Sequence, residues 1–255
     1  MRDSVSNVQA DTTGMLMRRR KRNLARWIFI LLIVAAGFTS YDWLQRHPQH
    51  NPFAPLSLSH PNGWATRQKL AALARDRDSC LAVLDQAAVD YKVLPVIGTG
   101  ACLTEQRTQV ASWTSAPAPI QPAGVAPSCA VGAALLLWQR DVVQPMAQAH
   151  LGRKLRSIEH LGSYNCRSIR GSDRPSQHST GNAIDISAFV LSDGRRVSLA
   201  EHWDAPDGRS AFLQAVRDGA CGYFTTVLSP DYNNAHADHF HLDQAQRPGG
   251  WGVCR

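Results

Sequence analysis

No two of the six cysteines stand in a Cys-x-x-Cys pair, so the chain encodes neither a thioredoxin-like redox motif nor a second, thiolate-held metal site. No basic patch stands out beyond residue 26. The first 26 residues hold seven Lys/Arg against two Asp/Glu, and subtracting these from 27 and 20 leaves 20 basic and 18 acidic residues for the rest. The net charge of +7 is therefore a topology signal. Nucleic-acid binding, which needs a basic face on the folded part, is not expected. There is also no clear small-x-small cleavage site before Tyr41, and the stretch ahead of the basic run is long for the competing reading, a cleaved signal peptide.

What is present near the amino end is a basic cluster, Arg18 to Arg22 with Arg26, followed by the apolar run Trp27 to Phe38. Such an order places the amino end in the cytoplasm. The apolar core is short for a span of ~20 residues, but continuing it to Leu44 nearly suffices, and Trp43 suits the far interface. An uncleaved signal anchor over 27–44 is expected, after a cytoplasmic basic segment over 1–26. The six cysteines, Cys80, Cys102, Cys129, Cys166, Cys221 and Cys254, all lie beyond it. An even number there points to an oxidising compartment and disulfides. Sequence order suggests sequential pairing: Cys80–Cys102, Cys129–Cys166 and Cys221–Cys254.

The remaining markers divide the chain further. Residues 45–60, rich in proline and histidine, are expected to form an extended spacer. Residues 61–111 read as a small helical lobe, with helices around Gln68–Arg75 and Cys80–Tyr91. Residues 112–127, rich in Ala, Pro and Ser, read as a second linker. From Ser128, an N-cap, the run Ala130–Leu151 has apolar residues at helical spacing, with Pro145 kinking or dividing it. Short strands follow: Lys154–His160, then a hairpin from Asn182–Phe189 through Ser192-Asp193-Gly194 to Arg196–Leu199. A helix over Ser210–Asp218 ends at Gly219, and strands return at Thr225–Leu228 and His239–Leu242. The expected fold class is α+β, with a small antiparallel sheet, helices packed on one side, and the membrane helix ahead.

Two runs within 128–255 carry chemistry: Ser176-Gln177-His178-Ser179-Thr180-Gly181-Asn182-Ala183-Ile184-Asp185 and His236-Ala237-Asp238-His239-Phe240-His241. His178 and Asp185 are separated by six residues, whereas His239 and His241 stand two apart, on one face of a strand. Apolar flanks, Ile184 and Ile186 on one side and Phe240 and Leu242 on the other, suit strands through a core. An unpaired carboxylate or imidazole would be costly there unless a metal or hydrogen bonds satisfied it. Two imidazoles and a carboxylate form a three-ligand zinc set with a fourth position open to water.

These motifs resemble those of the zinc peptidase superfamily grouped around lysostaphin, D-Ala-D-Ala carboxypeptidases and the hedgehog signalling domain. The His-x-Asp-His-Phe-His string is similar to that of penicillin-insensitive murein endopeptidases. From about Cys129 to Arg255 the chain resembles the bacterial extensin-like C-terminal domain family. The matching runs are Glu159 to Arg167, the His178 motif, Asp218 to Cys221, and Asp231-Tyr232-Asn233 through His241. The Ser-Pro repeats of plant extensins are absent from these runs.

The resemblance implies Zn2+ held by His178, Asp185 and His241, with His239 as general base or transition-state stabiliser. Asp238, where carboxypeptidase relatives place a glutamate, is the alternative base. Arg167, and more weakly Tyr164, Ser163 and Arg170, are candidates for binding substrate, with an ordinary solvated arginine as the competing reading. His236 reads either as a supporting residue or as a surface histidine. His150, His160 and His202 have no ligand spacing. The implied protein is a single-pass inner-membrane zinc peptidase with its carboxy-terminal domain in the periplasm. It would cleave peptidoglycan cross-links or stem peptides, as an endopeptidase rather than a D-Ala carboxypeptidase, with an envelope activator protein as a further partner. The alternative is a non-catalytic wall-binding or scaffold module that keeps its zinc for stability.

Overall fold

The computed structural model of the chain describes residues 3–112 and 118–255, with side chains from residue 19 onward. Residues 113–117 of the expected second linker, and the side chains of the first 18 residues, lie outside the described residues.

Helix α1 spans Asp3–Arg46. Its Arg19–Arg46 portion is long and apolar enough to cross a membrane and none of it is buried. At 1.5 Å per residue the 28 residues reach about 42 Å, more than a hydrocarbon core of ~30 Å requires. This is a single membrane-spanning helix, and the remainder of the chain folds as a separate domain.

That domain begins earlier than the sequence suggests. The expected spacer does not stand off as an extended linker: Leu58 is fully buried and Leu56 nearly so. The Ala65 amide donates to the Gln49 carbonyl, and Lys69 Nζ to that of Pro48. Proline content suggested extension, but two leucines on this segment find an apolar cluster to join.

Helices α2 (Thr66–Leu73) and α3 (Arg77–Gln86) follow. α3 stops short of Tyr91 because Ala88 adopts a left-handed φ of 51°, and Asp90–Val93 instead forms strand β1, antiparallel to β2 (Thr108–Ser112). The lobe expected to be helical therefore carries a two-stranded sheet. Strand β3 (Ile120–Gln121) lies in the expected second linker yet pairs parallel with β4. Helix α4 (Cys129–Trp138) is buried at every residue and capped by Ser128, whose Oγ accepts from the Val131 amide. A single wide π turn, Gln139–Val143, joins it to α5 (Gln144–Leu151). Pro145, lacking an N–H, falls in the first turn after this break, where no helical donor is needed.

The rest is β4 (Leu155–Gly162), β5 (Ala183–Leu191), β6 (Arg196–Ser198), α6 (Leu199–His202), α7 (Gly208–Ala220), β7 (Thr226–Leu228), β8 (Phe240–Asp243) and β9 (Val253–Cys254). The main sheet runs β3-β4-β5-β8-β7-β9, with β6 also on β5. It is antiparallel except for its two-residue edge strands β3 and β9. Trp138 of α4 packs on Phe189 and Phe224, joining helix layer to sheet. The α+β architecture matches the expectation.

Two details differ. Helix α7 continues through Gly219 to Ala220. Gly219 serves packing rather than termination: a Cβ there would lie 2.4 Å from Val142 Cγ1. The disulfides are Cys80–Cys129, Cys102–Cys166 and Cys221–Cys254. Only the last follows the sequential pattern. α3 packs on α4, which brings Cys80 to the first residue of α4, and the turn at Gly100–Cys102 meets the loop after β4. Two bridges thus staple the amino-terminal lobe to the sheet-bearing part.

Candidate metal centre

The centre is assembled by sheet register. In the β5–β8 ladder Asp185 is the direct partner of His241, so their side chains project side by side from one face. Two residues along β8, Asp243 shares that face. His178 comes from a short 3-10 turn, Gln177–Thr180, capped by Ser176 and closed by Gly181 at φ +69°. A left-handed residue at this point turns the chain straight into β5, and glycine adopts it at no steric cost.

Three donor atoms converge. His178 Nε2 lies 3.2 Å from Asp185 Oδ1, His241 Nδ1 lies 3.1 Å from the same oxygen, and the two nitrogens are 3.1 Å apart. A tetrahedral ion with bonds of about 2.0 Å would require ligand–ligand edges of about 3.3 Å. His178, Asp185 and His241 thus form a buried to half-buried group able to hold a metal ion.

The outer nitrogens fix the tautomers. His178 Nδ1 donates to the Ser163 carbonyl at 2.6 Å, and His241 Nε2 donates to Asp243 Oδ2 at 3.1 Å. Each imidazole is left with its inward nitrogen facing the other donors. Ser163 is held by its own Oγ, which donates to the Ala183 carbonyl at 2.6 Å. Asp243 Oδ1 accepts from the Ala245 amide and from Thr225 Oγ1. The donor set, its spacing and its fixed tautomers fit a divalent ion such as zinc.

The electrostatics agree. Burial opposes ionisation of Asp185, but hydrogen bonds from His178 and His241 outweigh it and hold the carboxyl well below its usual range. Burial also disfavours charge on His241, yet hydrogen bonds to Asp185 and Asp243 raise its pKa to about 9. A positive charge between these carboxylates is favoured even when only a proton supplies it.

His239 precedes β8 rather than lying within it, so the same-face strand argument does not hold for this pair. Its Nε2 nevertheless faces the cluster, 3.7 Å from Asp185 Oδ1, while Nδ1 donates to Asp238 Oδ1 at 2.7 Å. His236 stands at the rim, its ring 5.2 Å from that of His239 and its Nδ1 2.8 Å from Asn233 Oδ1. Burial, and then the neighbouring His239 and His241, lower its pKa to about 4.

Arg167 is exposed and makes no ion pair among the described residues. Its carbonyl accepts from Ser179 Oγ at 2.7 Å, which pins its loop to the His178 turn. Tyr164 is turned elsewhere, donating its hydroxyl to the Cys102 carbonyl beside the Cys102–Cys166 bridge. Arg170 is exposed, and Ser163 contributes its carbonyl rather than a hydroxyl free for ligand. Of the histidines without ligand spacing, His160 binds the Pro122 carbonyl and His202 caps α6 through the Ser198 amide.

A family model described as the extensin-like protein C-terminus matches residues 78–255, about seven tenths of the chain. The chain belongs to this family. The extensin-like region starts two residues before Cys80, so it takes in α3 and the first disulfide partner, consistent with a lobe bonded to α4. No curated protein and no solved structure matches the chain.

Asp243 and the Ser163 carbonyl are the supporting groups that sequence reasoning missed. Asp243 was available as a signal, because His239-Phe240-His241-Leu242-Asp243 extends the alternation by one more polar residue. A backbone carbonyl leaves no such trace.

Proposed function

We propose that this protein is a membrane-anchored zinc peptidase of the cell envelope that cleaves peptide bonds in peptidoglycan, as an endopeptidase on cross-links or stem peptides. The observation that carries this reading is the convergence of His178, Asp185 and His241 beside an imidazole, His239, that is oriented by a carboxylate and takes no part in the cluster. A purely structural ion needs no such pair. The likeness of the His236–His241 string to murein endopeptidases supplies the substrate class. The basic residues Arg18–Arg22 and Arg26, which precede the apolar stretch of α1, support a domain on the outer side of the inner membrane, in the periplasm.

When bound, zinc supplies Lewis acidity toward a scissile carbonyl and toward water. The chain's residues do the rest. His178 Nε2, Asp185 Oδ1 and His241 Nδ1 hold the ion, while Ser163 and Asp243 keep both rings in the required tautomer. His239 Nε2 moves a proton at the reacting centre, and Asp238, bonded to its Nδ1, orients the ring and stabilises its protonated form. Asp238 and His239 thus act as one unit rather than as rival bases. The exposed Arg167 guanidinium binds a substrate carboxylate in this scheme.

The test is mass spectrometry of purified cross-linked muropeptides incubated with the zinc-loaded full chain in detergent, beside His178→Ala. Monomers released only by the unaltered protein establish the endopeptidase and name its bond. Loss of a terminal D-alanine alone moves the assignment to carboxypeptidase. No cleavage with zinc bound overturns the catalytic reading in favour of a wall-binding module.

A further inference from the structure

Away from the metal centre, the face of the domain next to the membrane helix carries an aromatic cluster and a basic cleft that the peptidase reading does not use. Near the end of α1, Trp43 stacks on His47 and His50, with ring centroids 4.5 and 5.3 Å away. Trp64, from the start of the domain, lies 5.8 Å from Trp43 and 4.9 Å from His50, and its indole N–H donates to the His50 carbonyl. The Gly63 backbone approaches Gln49 so closely that a Cβ would fall 2.4 Å from its carbonyl oxygen. Helix and domain are thus joined by packed contacts. Trp64 is nonetheless 72% exposed, and Phe53 of the same junction is 94% exposed.

Three residues after Trp64, the first turn of α2 presents Arg67. With Arg75 and Arg247 it lines a cleft of about 340 Å³ that also takes in Thr225, Gln246 and Trp251. No acidic residue lines this cleft, and none of the three arginines makes an ion pair among the described residues. Arg67 donates only to the Cys221 carbonyl, at 3.3 Å. Arg247 donates to the Thr225 carbonyl and Thr226 Oγ1, and its guanidinium lies 5.0 Å from the Trp251 ring. Two of these cations, Arg67 and Arg247, are held by neutral partners, and with the exposed Arg75 they leave a positive field in a concave site that no carboxylate lines.

Trp43 lies at the far end of the apolar span, where aromatic side chains settle at headgroup depth. Trp64 touches it, and Arg67, three residues on in the chain and in the first turn of α2, is at most about 11 Å further along the backbone. The cleft is therefore within reach of the headgroup layer. We infer that this face rests on the membrane and that the Arg67/Arg75/Arg247 cleft binds the phosphate of an anionic phospholipid, with Trp64 and Phe53 in the interface. The inference depends on α1 as an anchor and on nothing at the metal centre.

The experiment is hydrogen exchange on the full chain in nanodiscs of phosphatidylcholine alone or mixed with phosphatidylglycerol. The expected result is slower exchange over 66–75 and 246–252 in the anionic discs, with α4 unchanged as a fold control. Arg67→Gln/Arg75→Gln/Arg247→Gln should abolish that difference. Arg75→Gln alone, at an exposed position, should reduce lipid affinity about fivefold, as expected for one basic side chain at an anionic surface. Equal exchange in the two lipids would overturn the inference, as would protection that the triple variant retains. Inorganic phosphate producing the same protection in neutral discs would reassign the cleft to a soluble anion. Protection that tracks protein concentration rather than lipid charge would reassign the face to a second copy of the chain.

Discussion

His239 and Asp238, adjacent in sequence, are bonded to each other: Nδ1 of the imidazole donates to Oδ1 of the carboxylate across 2.7 Å. The opposite ring nitrogen is thereby directed at Asp185. His239→Ala should lower turnover of cross-linked muropeptides by roughly 10²–10⁴-fold while zinc content, read by elemental mass spectrometry, stays unchanged. Because the two residues act as a unit, Asp238→Asn added to His239→Ala should cost little more. Additive losses would show that Asp238 works independently.

Asp243 bonds the outer nitrogen of His241 and is not among the three donors. Asp243→Asn should weaken zinc binding by about 10–100-fold in chelator competition, with the fold retained as judged by circular dichroism. His241→Ala, which removes a donor atom, should abolish stoichiometric binding.

The proton on His241 must leave when a metal arrives. With its pKa raised to about 9, zinc affinity should rise about tenfold per pH unit from neutrality to about 9 and then flatten. Calorimetry in buffers of different ionisation enthalpy should count close to one proton released per ion at neutral pH. In the chelated protein the sign reverses. A folded-state pKa above the ordinary 6.5 stabilises the fold fully below 6.5, and that contribution fades as pH rises through 9. Thermal melts in excess chelator across that window read it directly.

The sequence made the donors legible but not their assembly. His178, Asp185 and His241 could be picked out because Gly181 and the apolar flanks mark short-range structure. That Asp185 sits directly opposite His241 depends on β5 pairing with β8, which brings together two residues 56 apart in sequence, and no local pattern encodes strand order. The disulfides failed for the same reason. Cys80 meets Cys129 because α3 packs on α4, a tertiary fact, whereas Cys221–Cys254 matches the sequential pattern because β9 pairs with β7, the strand that follows Cys221. An extended strand running through Asp238 would point it away from His239, yet the strand begins only at Phe240, leaving the two preceding residues free to turn.

Gly219 offers a test of packing away from the site. Gly219→Ala should gain helix propensity yet destabilise the domain by about 1–3 kcal/mol in denaturant unfolding, because the new methyl would meet Val142 at 2.4 Å. Val142→Ala in the same chain should restore most of the loss. A stabilised single variant would mean that α7 can shift away from the π turn at no cost.

Burial of Leu56 and Leu58 also sets how far this protein can work. A free chain over 45–60 would act as a tether, adding up to about 50 Å of reach. With those residues folded in, height above the bilayer is set by the domain alone. For residues 46–255 a radius of gyration of about 17 Å implies a body roughly 40 Å tall. The protein is a short post rather than a roving arm, and if peptidoglycan is its substrate as proposed, the polymer within its reach is the layer lying directly over its own membrane.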